Sequence, residues 1–231
     1  MMKKVLVLFL LCCLSILVTA MAVPTRLPQS EQVYLFHIID DYEDGDAYTK
    51  PKWWNFDNAS INVVSNDELR YGAKEVMQEA GLFSLRVTGE ATQWYVGGFG
   101  TYIAKDASKY THLSLEIYGT GPNSGTLKIE LYDDDNANSS IEQDPAKRFD
   151  PLFDDRFVYE LNIDWIGWKK VLIPFEDFVD ENPKVGDDVW NPDILNGSGG
   201  LVQTQLIVTS AEESGTADFC IGSMKLVQFE E

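Results

Sequence analysis

Short apolar runs recur along most of the chain and are separated by clusters of Gly, Asn, Asp, Ser and Pro. Within the runs, β-branched and aromatic residues are enriched and apolar positions alternate with polar ones, which is typical of strands that bury one face. The predicted strands are Val33–Ile39, Ser60–Val64, Phe83–Thr88, Tyr95–Phe99, His112–Tyr118, Thr126–Tyr132, Phe157–Ile163, Lys169–Pro174, Val202–Thr209 and Ala217–Phe229.

The clearest alternation lies in the run Thr126–Tyr132. Leucine or isoleucine fills every second position, whereas Lys128, Glu130 and Tyr132 point to the opposite side. Helical periodicity is weak outside the apolar segment at the start of the chain, and Phe175–Val179 is at most a short turn. About ten strands without a linker or a repeat predict an all-β fold, a two-sheet antiparallel β-sandwich of jelly-roll or related topology.

The first residues follow a different pattern. Two lysines precede a short apolar run, and Ala20-Met21-Ala22 then supplies the small residues of a cleavage site. The run is shorter than the roughly 20 residues of a transmembrane helix, although an uncleaved anchor is the alternative. We predict a signal peptide at 1–22, a short tether at 23–33 and a single domain at 34–231. The predicted destination is the medium, the periplasm or the cell surface, with no membrane contact after cleavage.

The charge balance narrows the classes of partner. The chain has 37 Asp and Glu against 18 Lys and Arg, which gives a formal net charge of −19. Nucleic acids and anionic membranes attract Lys and Arg, so this composition argues against both as partners. Outside the predicted signal peptide Cys220 is the single cysteine, and no intramolecular disulfide is expected there.

Four segments resemble the family-eleven carbohydrate-binding modules. Gly167–Phe178 is similar to their G-W-x-x-V-x-I-P-F-x-D-F segment, and Ile39–Gly45 resembles their opening strand. Thr126–Asn136 is similar to the strand and acidic loop that precede the G-W segment, and Phe219–Leu226 resembles the closing strand. The related complex I intermediate-associated proteins share this galactose-binding-like sandwich. The resemblance therefore implies that fold, with either carbohydrate binding or protein assembly as the function.

The acidic residues near the first strand suggest a metal. Asp41 and Glu43 lie two apart on one face of a strand, where two carboxylates repel each other unless a cation or proton relieves them. Structural calcium is the natural hypothesis, and solvated charge is the alternative. The resemblance implies that a carboxylate of the closing strand joins such a site, but Gly222 stands at that place here. Asp133–Asn136 is a second oxygen-rich candidate.

A face that binds sugar needs flat rings beside planar polar side chains, because sugar C–H faces stack on Trp and Tyr while hydroxyls bond to carboxylates and amides. Several predicted strands carry such a mixture on one side. The candidate carbohydrate-binding residues are Trp94, Tyr95, Glu130, Tyr132, Glu160, Gln203 and Gln205. The alternative is that Trp94 or Tyr95 belongs to the core, because neighbouring strand residues point to opposite faces.

Loops contribute further candidates. Trp53, Trp54 and Trp190 flank turn-like sequences, where a tryptophan either caps the core or clamps a ligand. Core capping is the commoner fate of a tryptophan, so we expect it here. The segment Asp154-Asp155-Arg156 predicts an exposed turn with a local ion pair.

Few residues of the chain are suited to catalysis. His37 and His112 are the only histidines, which argues against Ser-His-Asp and zinc chemistry. The residues thus favour a secreted, non-catalytic protein that binds a β-glucan or related polysaccharide or oligosaccharide. A surface or periplasmic module that binds a protein partner is the alternative. A glycosidase is a third hypothesis, since Glu130 and Glu160 could approach each other across neighbouring strands.

Overall fold

The computed structural model describes residues 33–147, 149–195 and 199–229, all of them in the compact unit Gln32–Glu231. The predicted signal peptide lies outside these residues, and so does the predicted tether apart from Val33, so both stay predictions. No helix in the described part of the chain is long and apolar enough to cross a lipid bilayer.

The described residues form fourteen strands and few helical turns. The strands are β1 (Val33–Asp40), β2 (Trp54–Asp57), β3 (Ser60–Ser65), β4 (Phe83–Glu90), β5 (Tyr95–Lys105), β6 (His112–Thr120), β7 (Gly125–Asp134), β8 (Gln143–Asp144), β9 (Asp150–Pro151), β10 (Asp155–Ile163), β11 (Ile166–Pro174), β12 (Val179–Asp180), β13 (Gly200–Thr209) and β14 (Thr216–Phe229). The helical elements are α1 (Lys74–Glu79) and the 3₁₀ turns Asn66–Glu68, Pro145–Lys147 and Phe175–Asp177.

Two six-stranded antiparallel sheets face each other. The front sheet has the strand order β12-β10-β7-β13-β5-β2. The back sheet has the order β11-β6-β14-β4-β3, with β1 paired to the far half of β14. Strands β8 and β9 form a separate two-stranded ribbon. The predicted two-sheet antiparallel sandwich is therefore confirmed, and each of the ten predicted strands overlaps an observed one.

The core lies between the inner faces of the two sheets. The odd-numbered residues Leu127, Ile129 and Leu131 of β7 are fully buried in it. They pack in one cluster with the inner residues of β6, such as Leu115 and Ile117. Complete burial of such a side chain contributes about 1.5–3 kcal/mol, so the period-two pattern fixes which side of each strand faces inward.

Two of the three loop tryptophans cap this core. Trp53 is fully buried and its indole N–H donates to Asp40 Oδ2 at 2.6 Å. Trp190 is partly buried, with its ring centroid 5.0 Å from that of Phe175 and 5.3 Å from that of Phe157. Trp54 behaves differently, because it belongs to β2 and points away from the core.

Candidate functional site

The outward face of the front sheet brings side chains from five strands into two adjacent rows. The cross-strand register sets these rows, because residues that are directly opposite on neighbouring strands share one side of the sheet. The first row contains Arg156, Tyr132, Gln203 and Tyr102. The second row contains Val158, Glu130, Gln205, Gly100 and Trp54. We call these two rows the front face.

Two aromatic rings form one edge of the front face. The rings of Trp54 and Tyr102 lie 5.1 Å apart between centroids, tilted by 53°. Tyr102 is 62% exposed and Trp54 is partly exposed. The Trp54 ring lies across Gly100, where a Cβ atom would stand 2.7 Å from it. In the same way the ring of Phe56 lies across Gly98, so the missing side chains of β5 leave space for the rings of β2.

The centre of the front face is polar and already hydrogen-bonded. Glu130 is 4% exposed, and its Oε2 accepts from the Tyr132 hydroxyl at 2.8 Å and from Gln205 Nε2 at 3.3 Å. Its Oε1 lies 3.3 Å from Lys128 Nζ. Burial and the adjacent Glu130 charge raise the pKa of Tyr132 well above its usual value. The phenol therefore remains a donor, and the carboxylate is held in one orientation.

Basic groups connect this centre to the edge strand β12. Arg156 Nη1 lies 3.1 Å from Asp150 Oδ1, and its Nη2 lies 3.3 Å from Glu181 Oε2. Glu181 also pairs with Lys128 Nζ at 2.6 Å. Arg156 Nε is buried and has no hydrogen-bond partner among the described residues. The arrangement fixes the two cations beside the polar centre.

The predicted binding residues fall into three groups. Glu130, Tyr132, Gln203 and Gln205 lie together on the front face. Glu160 lies one row away, opposite Lys128, and is exposed. Tyr95 and Trp94, in contrast, lie near the turn before β5.

The structure distinguishes Tyr95 from Trp94. Tyr95 is 37% exposed, and its hydroxyl donates to Asp57 Oδ2 at 2.7 Å. Partial burial, followed by this hydrogen bond, raises the pKa of Tyr95. Trp94 is 51% exposed and has a left-handed φ of 67° in the turn, where its N–H donates to the carbonyl of Glu213. Neither ring is part of the core, so the expectation that one of them points inward is wrong. The turn ends the strict alternation before Tyr95.

Tyr132 requires a correction. Its alternation places it on the outward face as predicted, but its side chain is only 1% exposed. The neighbouring side chains Arg156 and Gln203 flank it in the row, and its hydroxyl is used by Glu130. Tyr132 therefore supports the front face from a buried position, and its ring is not exposed for stacking on a sugar.

Asp154-Asp155-Arg156 also differs from the expectation. The two aspartates are fully buried, and β10 begins at Asp155. Arg156 consequently points onto the front face and does not sit in an exposed turn. The predicted local ion pair is wrong as well, because Arg156 pairs with Asp150 and Glu181.

Sequence reasoning missed Trp54, Tyr102 and Arg156 as members of the face. For Trp54 and Tyr102 the sequence contains a pattern that predicts an outward position. Trp54 and Phe56 alternate with polar residues, and Gly98, Gly100 and Tyr102 share one side of a strand that continues beyond its predicted end at Phe99. For Arg156 no local signal existed, since its acidic neighbours are typical of an exposed turn.

The predicted calcium ligands Asp41 and Glu43 serve separate backbone groups. Glu43 Oε1 accepts from the N–H groups of Leu82 at 2.7 Å and Phe83 at 3.0 Å. Asp41 Oδ1 accepts from the N–H of Glu43 at 3.2 Å. At Gly222 a Cβ would meet Ala80, directly after α1, so a carboxylate side chain would not fit at this position of the closing strand. These contacts use one oxygen of each carboxylate, and calcium at this place stays a prediction.

A comparison with solved structures identifies the fold. The family 11 carbohydrate-binding module from Clostridium thermocellum, in complex with a β-1,3-1,4-mixed-linked tetrasaccharide, is 16% identical, with a TM-score of 0.53 over 83% of this chain and 95% of that one. The family 11 module of a cellulosomal cellulase of Clostridium thermocellum is 14% identical, with a TM-score of 0.51 over 85% and 96%. An exo-β-agarase matches with 12% identity and a TM-score of 0.51 over 84% of this chain and 25% of that one.

Sequence comparisons add no relative. No protein-family model and no curated protein sequence matches the chain. At these identities a structural likeness establishes the fold, and the resemblance in fold that the sequence predicts is confirmed. The chain has the fold of the family 11 carbohydrate-binding modules.

Proposed function

We propose that the front face binds a polysaccharide or oligosaccharide, a β-glucan or a related glycan. The observation that carries the proposal is the ring pair of the exposed Tyr102 and the partly exposed Trp54, which lies beside the ordered polar side chains Gln203, Gln205 and Glu130. The rings would stack on sugar faces, and the amides would bond to hydroxyl groups. Because the Glu130 carboxylate is already held by its neighbours, little conformational entropy is lost on binding.

The solved structures support the same chemistry. One neighbour of the same fold was solved with a β-1,3-1,4-mixed-linked tetrasaccharide, and the match covers 95% of that neighbour. Fold alone does not assign a ligand, so the proposal depends on the side chains of the front face. We further propose that the protein acts outside the cytoplasm, where its predicted signal peptide would deliver it.

We propose that the protein is not an enzyme. Glycoside hydrolysis needs two opposed carboxyl groups, one of which stays protonated to act as an acid. Both oxygens of Glu130 are instead engaged by protein groups, Oε2 by Tyr132 and Gln205 and Oε1 by Lys128. Glu130 is therefore suited to hold Tyr132 and Gln205 in place beneath a bound sugar.

Affinity gel electrophoresis tests the proposal with mixed-linkage β-glucan and xylan in the gel. We expect retardation by at least one of them that persists in 1 M NaCl, because stacking on neutral sugars is not an effect of net charge. Trp54→Ala and Tyr102→Ala should each weaken binding about tenfold, which corresponds to about 1.4 kcal/mol. Tyr71→Ala is the matched control, since Tyr71 is 66% exposed but lies outside the front face.

Three outcomes would count against the proposal. The first is that no glycan retards the protein. The second is that Tyr71→Ala weakens binding as much as Tyr102→Ala. The third is the release of reducing sugar that Glu130→Gln abolishes, which would favour the glycosidase. Retention of a protein partner without any glycan binding would favour the assembly module.

A further inference from the structure

Three acidic side chains meet at the end of the front sheet, away from the rings of Trp54 and Tyr102. Asp135 follows β7, Asp155 begins β10, and Asp187 lies in the loop between β12 and β13. One carboxylate oxygen from each of them lies within 4.8 Å of the others. We call this group the carboxylate triad.

A buried oxygen of the triad has no hydrogen-bond partner. Asp155 is fully buried, and its Oδ2 accepts from the N–H of Val189 at 3.2 Å. Its Oδ1 is buried and has no partner among the described residues. A buried carboxylate oxygen normally accepts a hydrogen bond, because burying it without a donor costs on the order of several kcal/mol. A bound cation beside the other two carboxylates would satisfy this oxygen.

The unpartnered oxygen points into the triad. A Cβ atom at Gly186 would collide with both Asp155 Oδ1 and Asp135 Oδ2, so both oxygens lie beside the same point. Gly186 has a left-handed φ of 77° and leaves this point free of side-chain atoms. The two oxygens thus face the same part of the loop backbone.

The charge at the triad is uncompensated by the protein. None of the three carboxylates forms an ion pair with a Lys or Arg in the described ranges. Asp154 and Asp180 add negative charge nearby.

We propose that the carboxylate triad binds a calcium ion. Calcium–oxygen distances of about 2.3–2.6 Å allow oxygens on opposite sides of one ion to be about 5 Å apart, which agrees with the spacing of the triad. Calcium takes six to eight oxygen ligands in variable geometry, so bidentate carboxylates and water would complete the shell. Asn191 is a further candidate, since its Nδ2 donates to Asp187 Oδ2 at 2.9 Å and its buried Oδ1 has no described partner.

The ion would join three segments that are distant in sequence. It would hold the loop after β7 and the loop after β12 against the first residue of β10. Arg156, the next residue, lies on the front face. The inference does not depend on sugar binding, because the triad lies outside the two rows and its ligand is a cation.

Calorimetry and thermal unfolding test the proposal on the full chain after dialysis against EGTA. We expect calcium to bind with a Kd below about 1 mM, and 5 mM CaCl₂ to raise Tm by about 3–8 °C. MgCl₂ should raise it less, since magnesium demands a near-ideal octahedron. Asp155→Asn and Asp187→Asn should each remove most of the calcium-dependent shift. Asp164→Asn, in the exposed turn after β10, is the matched control and should keep it.

Asp187 is exposed, so its variant tests the triad even where a change at the buried Asp155 prevents folding. Equal Tm values in EGTA and in calcium, together with no heat of binding, would overturn the proposal. A calcium response that survives both triad variants but is lost in Asp41→Asn would place the ion at the first strand and would also overturn it.

Discussion

The Tyr132 hydroxyl donates a 2.8 Å hydrogen bond to the carboxylate of Glu130, two residues earlier on the same strand. Both side chains are on the outward side of the front sheet, yet both are buried. A buried charge is costly unless it is hydrogen-bonded, so this bond is a condition for placing a carboxylate beneath the front face. The polar centre is consequently fixed before any ligand arrives.

Removal of the hydroxyl should therefore weaken the fold. We expect Tyr132→Phe to lower the free energy of unfolding by about 1–3 kcal/mol, because a buried charged acceptor loses its donor. Urea denaturation measures the change. Tyr102→Phe is the control, since Tyr102 is largely exposed and its hydroxyl bonds to no other described residue; it should change stability by less than about 0.5 kcal/mol. Equal effects of the two variants would show that the Glu130 bond contributes nothing specific.

The contact between Trp54 and Gly100 gives a second prediction. In Gly100→Ala the new Cβ would stand 2.7 Å from the indole and 2.8 Å from the carbonyl oxygen of Thr204, so the ring must move and the strand is strained. We expect a loss of about 1–3 kcal/mol in stability, a typical cost of overpacking, and weaker glycan retardation. A change in tryptophan fluorescence should accompany both. Gly45→Ala has no atom within 4 Å of its Cβ and serves as a control for glycine replacement itself.

The control variant Gly45→Ala is strained in its backbone, because Gly45 has a left-handed φ of 76° that alanine rarely adopts. Gly45→Ala should therefore lower stability but leave glycan retardation unchanged. Unaltered retardation in Gly100→Ala would mean that the position of the Trp54 ring does not matter for binding.

The sequence was sufficient for the layers of the sandwich. In β7 the alternation of Leu127, Ile129 and Leu131 with polar residues identifies the inner face correctly, because only one register buries the apolar set. The same alternation places Glu130 and Tyr132 on the outer face. The alternation does not predict that Glu130 and Tyr132 are buried. Their burial results from side chains on β10 and β13 that lie next to them only in the folded sheet.

Non-local pairing also explains the missed residues. Trp54 becomes part of the front face because β2 pairs with β5, more than 40 residues later, and because Gly100 leaves room for its ring. Asp155 looks like a solvated turn residue in the sequence, but it is covered by a loop that contains Gly186 and Val189. A local pattern cannot show which distant loop covers a residue.

The back sheet contains a buried carboxylate whose titration should be visible in the stability of the protein. Glu116 is fully buried. Its Oε2 accepts a hydrogen bond from the Ser223 hydroxyl and lies 3.6 Å from Lys225 Nζ. Its Oε1 has no hydrogen-bond partner among the residues that the structure describes. Burial is the main cause that raises its pKa above the usual 4.5. The folded state thus holds this proton at a pH where the unfolded state has lost it.

Stability from this group is therefore fully present below pH 4.5 and is lost as the pH rises through the raised pKa. We expect Glu116→Gln to reduce that loss, which urea denaturation at a series of pH values between 4 and 8 would measure. Glu160→Gln is the control, since Glu160 is exposed, and its pH profile should follow the wild type. A Glu116→Gln profile parallel to that of the wild type would contradict the assignment.

Cys220 should be inert in the folded protein. Its side chain is 3% exposed in β14, and burial raises the pKa of the thiol to about 11. Since the thiolate is the reactive form, iodoacetamide at pH 8 should leave Cys220 unmodified in the native state and modify it completely in 6 M guanidinium chloride. Mass spectrometry of the peptide that contains Cys220 separates it from the two cysteines near the start of the chain. Modification at equal rates in both conditions would mean that β14 opens readily, which its pairing with three other strands of the back sheet argues against.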